Sequence, residues 1–171
     1  MMPILDDCTL DAVTRRVEDA LTDLRETYEY VFIQSEWTIT AKLMLCLTTQ
    51  FPTWDVDCEY NKNLGAPKRA SVAGHWKSVR PDVIVHRHDS DLNLLAVEVK
   101  KFQKQGQDKD RDKLMSYTRP PQAGGLGYKW GVHIVLGKAA ADNPSLTWFE
   151  AGEVLDGREP TPPMRRRPPS A

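Results

Sequence analysis

The chain has 171 residues, 40% of them hydrophobic, enough for one domain with a real core but short for two packed domains. Lys and Arg total 23 against 24 acids, a formal net charge of −1, so any binding of a polyanion must come from local patches. Three widely spaced cysteines, Cys8, Cys46 and Cys58, exclude a disulfide framework and a close-spaced zinc box and fit a reducing, cytoplasmic setting.

The first seven residues carry no basic segment followed by an apolar run, which argues against a secretory signal, and no stretch approaches the length of a membrane span. From Thr9 onward, Leu10, Val13, Val17, Leu21, Leu24, Tyr28 and Val31 recur at intervals of three and four, which predicts an amphipathic helix. Thr9 suits its N-cap and Asp11 the positive end of its dipole. A second helix is expected from about Ser35 to Gln50, stopped by Phe51-Pro52, because the residue before proline resists helical geometry.

The period then changes from helical to alternating. Trp54, Val56, Cys58 and Tyr60 interleave with Asp55, Asp57, Glu59 and Asn61, a strand with one buried face. Residues 62–80, carrying Lys62, Lys68, Arg69 and Lys77, read as a long binding loop or mobile segment. Two strands follow, Asp82 to His88 and Leu92 to Lys101, joined by a turn at Asp89-Ser90-Asp91. Gln107 to Thr118 reads as a helix, and Trp130 to Leu136 and Leu146 to Phe149 as further strands. This order predicts an α/β domain over residues 1–152, its sheet covered by helices. The Pro- and Arg-rich residues 153–171 are expected to be a disordered tail.

The chemistry concentrates in the hairpin of the second and third strands. With its turn centred on Ser90, residues whose numbers sum to 180 face each other, so Asp82 faces Glu98, Ile84 faces Ala96 and His86 faces Leu94. Opposed like charges destabilise a sheet, and the flanking valines and isoleucine imply that both faces are largely buried. A divalent cation is the simplest compensation, since carboxylates are hard ligands suited to Mg²⁺ or Mn²⁺. Lys100 lies two residues beyond Glu98, hence on the same face and roughly 6 to 7 Å along the strand, with room for a water between. Metal, water and lysine together suit phosphodiester hydrolysis. Glu98-Val99-Lys100 is the one acid-x-Lys triplet in the chain and Pro81-Asp82 the one Pro-Asp.

On these residues the chain resembles the PD-(D/E)xK nuclease superfamily, the restriction-endonuclease-like phosphodiesterases. The matching segments are Pro81-Asp82-Val83-Ile84-Val85-His86 and Leu94-Leu95-Ala96-Val97-Glu98-Val99-Lys100-Lys101, while the element order matches from about Ser35 to Leu136. The resemblance implies a mixed sheet with a three-stranded antiparallel core plus further strands, flanked by helices. It also implies Asp82, Glu98 and the Val99 carbonyl as metal ligands and Lys100 as the catalytic lysine. Many members add a glutamate from the first core helix, for which Glu36 is the candidate; the plain alternative is an acid placed for the helix dipole. Lys113 and Tyr117, four apart on one helix face, stand where relatives contact the phosphate backbone; otherwise they are a solvated lysine and a core tyrosine. The Gln-x-x-x-Tyr pattern of the exonuclease branch is absent, Lys113 standing in place of its glutamine.

Other candidates carry less. Glu59 and Asn61 either approach the same pocket or face solvent. His86 and His88 share a strand face, but the sequence offers them no neighbouring cysteine or third histidine, so zinc is disfavoured. Gly124-Gly125-Leu126-Gly127 lacks the Lys-Ser/Thr of a phosphate loop and reads as a flexible connection. The Arg165 to Arg167 run reads as a solubilising tail. The sequence thus points to a Mg²⁺- or Mn²⁺-dependent nuclease with nucleic acid, preferentially DNA, as its partner, no membrane partner, and a homodimer as an option. The competing expectation is a non-catalytic protein that keeps the nuclease fold as a binding or regulatory subunit.

Overall fold

A computed structural model describes residues 8–58, 62–63, 66–67, 69–88, 90–102, 107–138 and 142–155. Helix α1 spans Leu10–Thr27 and α2 spans Glu36–Gln50, with a 3-10 turn at Glu29–Ile33 between them. The Thr9 hydroxyl accepts from the amide of Ala12 and the Ser35 hydroxyl from that of Thr38, satisfying donors that the first turn leaves open. The expected first helix ends earlier than Val31, at Thr27, and the chain tightens into the 3-10 turn. The two helices are joined at one end by Gln50, whose side-chain amide donates to Asp23 at 2.9 Å.

The strands are β1 (Asp55–Cys58), β2 (Lys62–Asn63), β3 (Ala66–Pro67), β4 (Arg69–Val72), β5 (His75–Ser78), β6 (Val83–His86), β7 (Asn93–Lys100), β8 (Trp130–Val135), β9 (Ser145–Glu150) and β10 (Glu153–Val154). Helix α3, Gln107–Thr118, lies between β7 and β8 in the chain. A mixed six-stranded sheet has the order β1-β6-β7-β8-β9-β10. Its first three strands are antiparallel neighbours, β7 and β8 pair in parallel across α3, and β8, β9 and β10 are again antiparallel. The parallel pair requires a crossover, and α3 supplies it.

Alternation along the strands sorts residues onto two faces. Val83, Val85, Leu95, Val97 and Val99 join Val132 and Ile134 in packing against Val13, Val17, Leu21, Ile39, Leu43 and Leu47 of α1 and α2. Ile84, Ala96 and Phe149 turn the other way, toward Leu114 and Tyr117 of α3 and the Ala70 and Val72 side chains of β4. The fold is therefore α/β in three layers: two helices, the sheet, then α3 with the β4–β5 hairpin.

Four expectations are corrected. Residues 69–78 are not an open loop but a hairpin turning on Ala73 and Gly74, both at positive φ (49° and 79°), the geometry that matches strand twist in a tight turn. The register of β6 and β7 follows the predicted sum of 180 at Val83↔Val97, Ile84↔Ala96 and Val85↔Leu95, then shifts at a bulge so that His86 pairs with Asn93 rather than Leu94. Glu153 and Val154, assigned to the tail, pair with β9, and the Leu155 amide donates to the Trp148 carbonyl at 2.9 Å. The glycine segment is a built turn: the amides of Gly125 and Gly127 donate to the carbonyls of Pro120 and Arg119. A Cβ on Gly125 would collide with the Arg119 backbone, so this glycine meets a close approach rather than a need for flexibility. Glu59, Tyr60, Asn61, Lys68, Asp89 and residues 156–171, including Arg165 to Arg167, lie outside the described residues.

Candidate functional site

The β6–β7 ladder ends at Val83↔Val97, one residue short of Asp82 and Glu98. Asp82 sits just before β6, where its Oδ2 accepts from the Val99 amide at 2.8 Å, which fixes the carboxylate at the end of the hairpin. Glu98 is 2% exposed. Its Oε2 accepts from Lys113 Nζ at 2.9 Å and its Oε1 from the Tyr117 hydroxyl at 3.1 Å. Lys113 and Tyr117 reach it because α3 lies across this face, and residues four apart on a helix share a side.

Lys100 ends β7 with its Nζ 3.3 Å from Glu36 Oε1 and 3.3 Å from Asp110 Oδ2. Glu36 also accepts from the Lys101 amide at 3.4 Å through Oε2. The first turn of α2 is thereby tied to the end of β7, and Glu36, at the first helical position after its Ser35 cap, is the tie. Asp110 in turn accepts from Lys113 at 2.9 Å through Oδ1. Glu36, Glu98 and Lys100, scattered over 65 positions of sequence, are thus joined in one network with Asp110 and Lys113, while Asp82 is tied to the Val99 amide beside it.

Sequence reasoning missed Asp110 and His133. Asp110, Lys113, Leu114 and Tyr117 fall at successive intervals of three, one and three, the signature of one helix face, and that spacing was the available signal. His133 is the residue opposite Glu98 in the parallel β7–β8 pairing and is 2% exposed. Its Nε2 has no hydrogen-bond partner among the described residues. A histidine inside the apolar run from Trp130 to Leu136 was its mark in the sequence. Tyr117 is fully buried, and both it and Lys113 direct their polar atoms at Glu98, so they brace the carboxylate.

The electrostatics follow from burial. Desolvation, then the neighbouring Asp82 charge, pushes Glu98 up to about 8. Burial likewise raises Asp82, partly offset by the Val99 amide. Burial alone would depress Lys100, but Asp110 and Glu36 outweigh it and hold the ammonium above its ordinary range. Lys113 is raised in the same way, burial being outweighed by Glu98 and Asp110. For Asp110 burial is again opposed, and Lys113 and Lys100 keep the carboxylate below its ordinary value. Burial lowers His133, leaving a neutral ring.

With every acid ionised, Glu36, Asp82, Glu98 and Asp110 carry four negative charges against two positive ones on Lys100 and Lys113. The cluster is short of two positive charges. Burial first, and the Asp82 charge second, disfavour the ionised form of Glu98. The acidic donors are all oxygen, the set that suits a hard divalent ion such as Mg²⁺ or Mn²⁺.

His86 and His88 lie toward the other end of the hairpin, with Asp57 of β1 between their rings. No helix among the described residues is long and apolar enough to cross a membrane. The chain matches no protein-family model, no curated protein and no solved structure.

Proposed function

We propose that the chain is a Mg²⁺- or Mn²⁺-dependent nuclease of the restriction-endonuclease-like class, acting on DNA. The observation that carries this reading is the excess of carboxylates over ammonium groups in a half-buried, oxygen-rich cluster at the end of the β6–β7 hairpin. The order of elements, helix α2, three antiparallel strands, crossover helix α3 and a parallel strand, is consistent with the family the sequence resembles.

Asp82, Glu98 and the Val99 carbonyl would hold the cation. When bound, such an ion supplies Lewis-acid polarisation of a phosphate and a more acidic water. The protein's own groups set the rest. Lys100, held cationic by Asp110 and Glu36, is suited to orient a water or to stabilise charge on a phosphate oxygen, rather than to remove a proton. Glu36 positions Lys100 at 3.3 Å. Tyr117 and Lys113 hold Glu98 against the sheet, which limits its freedom to rotate. Trp37, 64% exposed beside Glu36, offers an aromatic face on which an unpaired base can stack.

The test is Mn²⁺-dependent cleavage of supercoiled and linear DNA by wild type, Asp82→Ala and Lys100→Ala, with a chelator control. Each substitution is expected to reduce cleavage by about a hundredfold or more, the scale of losing one transition-state charge contact. Equal cutting by all three would assign the activity to a contaminant. The second reading, a non-catalytic nuclease-fold subunit, draws on Glu98 having both oxygens engaged by protein groups. It predicts DNA binding without cleavage in either metal.

A further inference from the structure

The far end of the same hairpin carries a different donor set. In β1, Val56 and Cys58 pack toward the α1–α2 core, so Asp55 and Asp57 occupy the opposite face. Register sets Asp55 against His86 and Asp57 against Ile84. A bulge between Val85 and His86 breaks the β6–β7 ladder here, and bulges re-aim the side chains beside them. Arg87 lies 5.2 Å from the Trp54 ring, a member of the α1–α2 core, so His86 and His88 on either side of it share the other face. The Asp55 carboxylate accepts from the His88 amide at 2.9 Å, which holds the chain in place past the end of β6.

The result is a convergence on one atom. His86 Nε2 is 2.8 Å and His88 Nε2 3.2 Å from Asp57 Oδ2. The two ring nitrogens and a carboxylate oxygen all lie within 4.8 Å of one another. Ligands at about 2.0 to 2.1 Å from a tetrahedral zinc ion stand roughly 3.3 Å apart, so small side-chain adjustments would seat an ion among them. The rings are edge-on, 4.7 Å between centroids at 66°, and so do not stack across that space. The side chain of His86 is 7% exposed, that of Asp57 33% and that of His88 47%. One ligand is anchored in the protein and the remaining side is open to water.

We propose that Asp57, His86 and His88 form a second metal site, selective for zinc-class transition ions, with one coordination position left to solvent. Two imidazoles and one carboxylate favour Zn²⁺, Co²⁺ or Ni²⁺ over Mg²⁺, and three protein ligands with an open position is the arrangement of an accessible rather than a closed site. The histidine pair alone did not suggest this in the sequence, because the third ligand is an aspartate 29 residues away. Binding ties edge strand β1 to β6 through their side chains, so it stabilises the fold. The site is independent of the nuclease reading.

The test uses the full chain after chelator treatment, melted with Zn²⁺ or Mg²⁺, with Co²⁺ absorption as a second readout. At a hundredfold excess over its dissociation constant, Zn²⁺ is expected to raise Tm by about 5 to 10 °C. Asp82→Ala should keep that shift. His88→Ala, at the most exposed ligand, should lose both the shift and the visible Co²⁺ band while melting like wild type without metal. Asp57→Asn is the second variant if His88→Ala does not fold. The proposal is overturned by the absence of a Zn²⁺ response, by its survival in both ligand variants, or by its loss in Asp82→Ala.

Discussion

The two faces of β7 differ in a way that a single strand makes plain. Leu95, Val97 and Val99 look toward α1 and α2 and meet apolar side chains, whereas Ala96, Glu98 and Lys100 alternate with them toward α3 and its acids and lysines. One face holds the domain together by excluding water, and the other spends part of that stability on a buried charge cluster. The lesson is that burial serves opposite ends on the two sides. It stabilises the valines, and it raises the cost of ionising Glu98 beyond what the Lys113 ammonium offsets.

The largest effect expected outside the proposed catalytic residues is on the apolar face. Leu95→Ala should cost about 2 to 5 kcal/mol through lost transfer energy and a cavity, read as a shift in urea midpoint. Divalent-ion affinity at the opposite face should remain close to wild type, because Leu95 contributes no ligand; a large loss of affinity would show that the two faces are not separable.

Next in size is the pH dependence of the metal-free protein. The folded value of Glu98, about 8, lies above its ordinary 4.5. The folded state therefore holds a proton that the unfolded state has already released. This contribution is fully present below about 4.5 and is lost as pH rises to about 8. In chelator, the wild-type Tm should fall across that window. Glu98→Gln should flatten most of the fall, leaving a remainder from Asp82, whose shift has the same direction, set against His133, whose lowered value slopes the other way. Mg²⁺ should flatten it in the wild type as well. Parallel pH profiles for wild type and Glu98→Gln would mean that Glu98 ionises in the fold without penalty.

The smallest expected effect compares two helix caps. Thr9→Ala and Ser35→Ala each remove one acceptor at a helix start and should each cost about 1 kcal/mol. Only Ser35 precedes Glu36, the partner of Lys100. Ser35→Ala should therefore also slow cleavage severalfold where Thr9→Ala does not, measured at equal folded fraction. Equal cleavage rates would detach Glu36 from the reaction.

How far the molecule was legible depended on how local its signals are. The two N-terminal helices, α3 and the central hairpin could be read because three-four spacing, two-residue alternation and turn residues act within a few positions. The register at Val83, Ile84 and Val85 was legible from the alternation of the two strands, though the bulge at His86 was not. The β4–β5 hairpin was hidden because Ala73 is an unexpected residue at positive φ, and the Glu153–Val154 strand because two residues carry no period. Long-range partners were beyond reach. The spacing of Asp110, Lys113 and Tyr117 puts them on one helix face, but nothing in the order of residues says that this face turns to Glu98 or that Asp57 crosses to His86, since each depends on how whole elements stack.

One consequence of the crossover concerns the order of assembly. A chain synthesised only as far as Lys101 contains the hairpin acids and Lys100, yet lacks the helix that brings Lys113, Asp110 and Tyr117 to them. Such an intermediate holds unbraced carboxylates beside an exposed apolar surface, and contacts that await a distant segment form late. The hairpin transplanted without α3 would lack the side chains that engage Glu98 and Lys100.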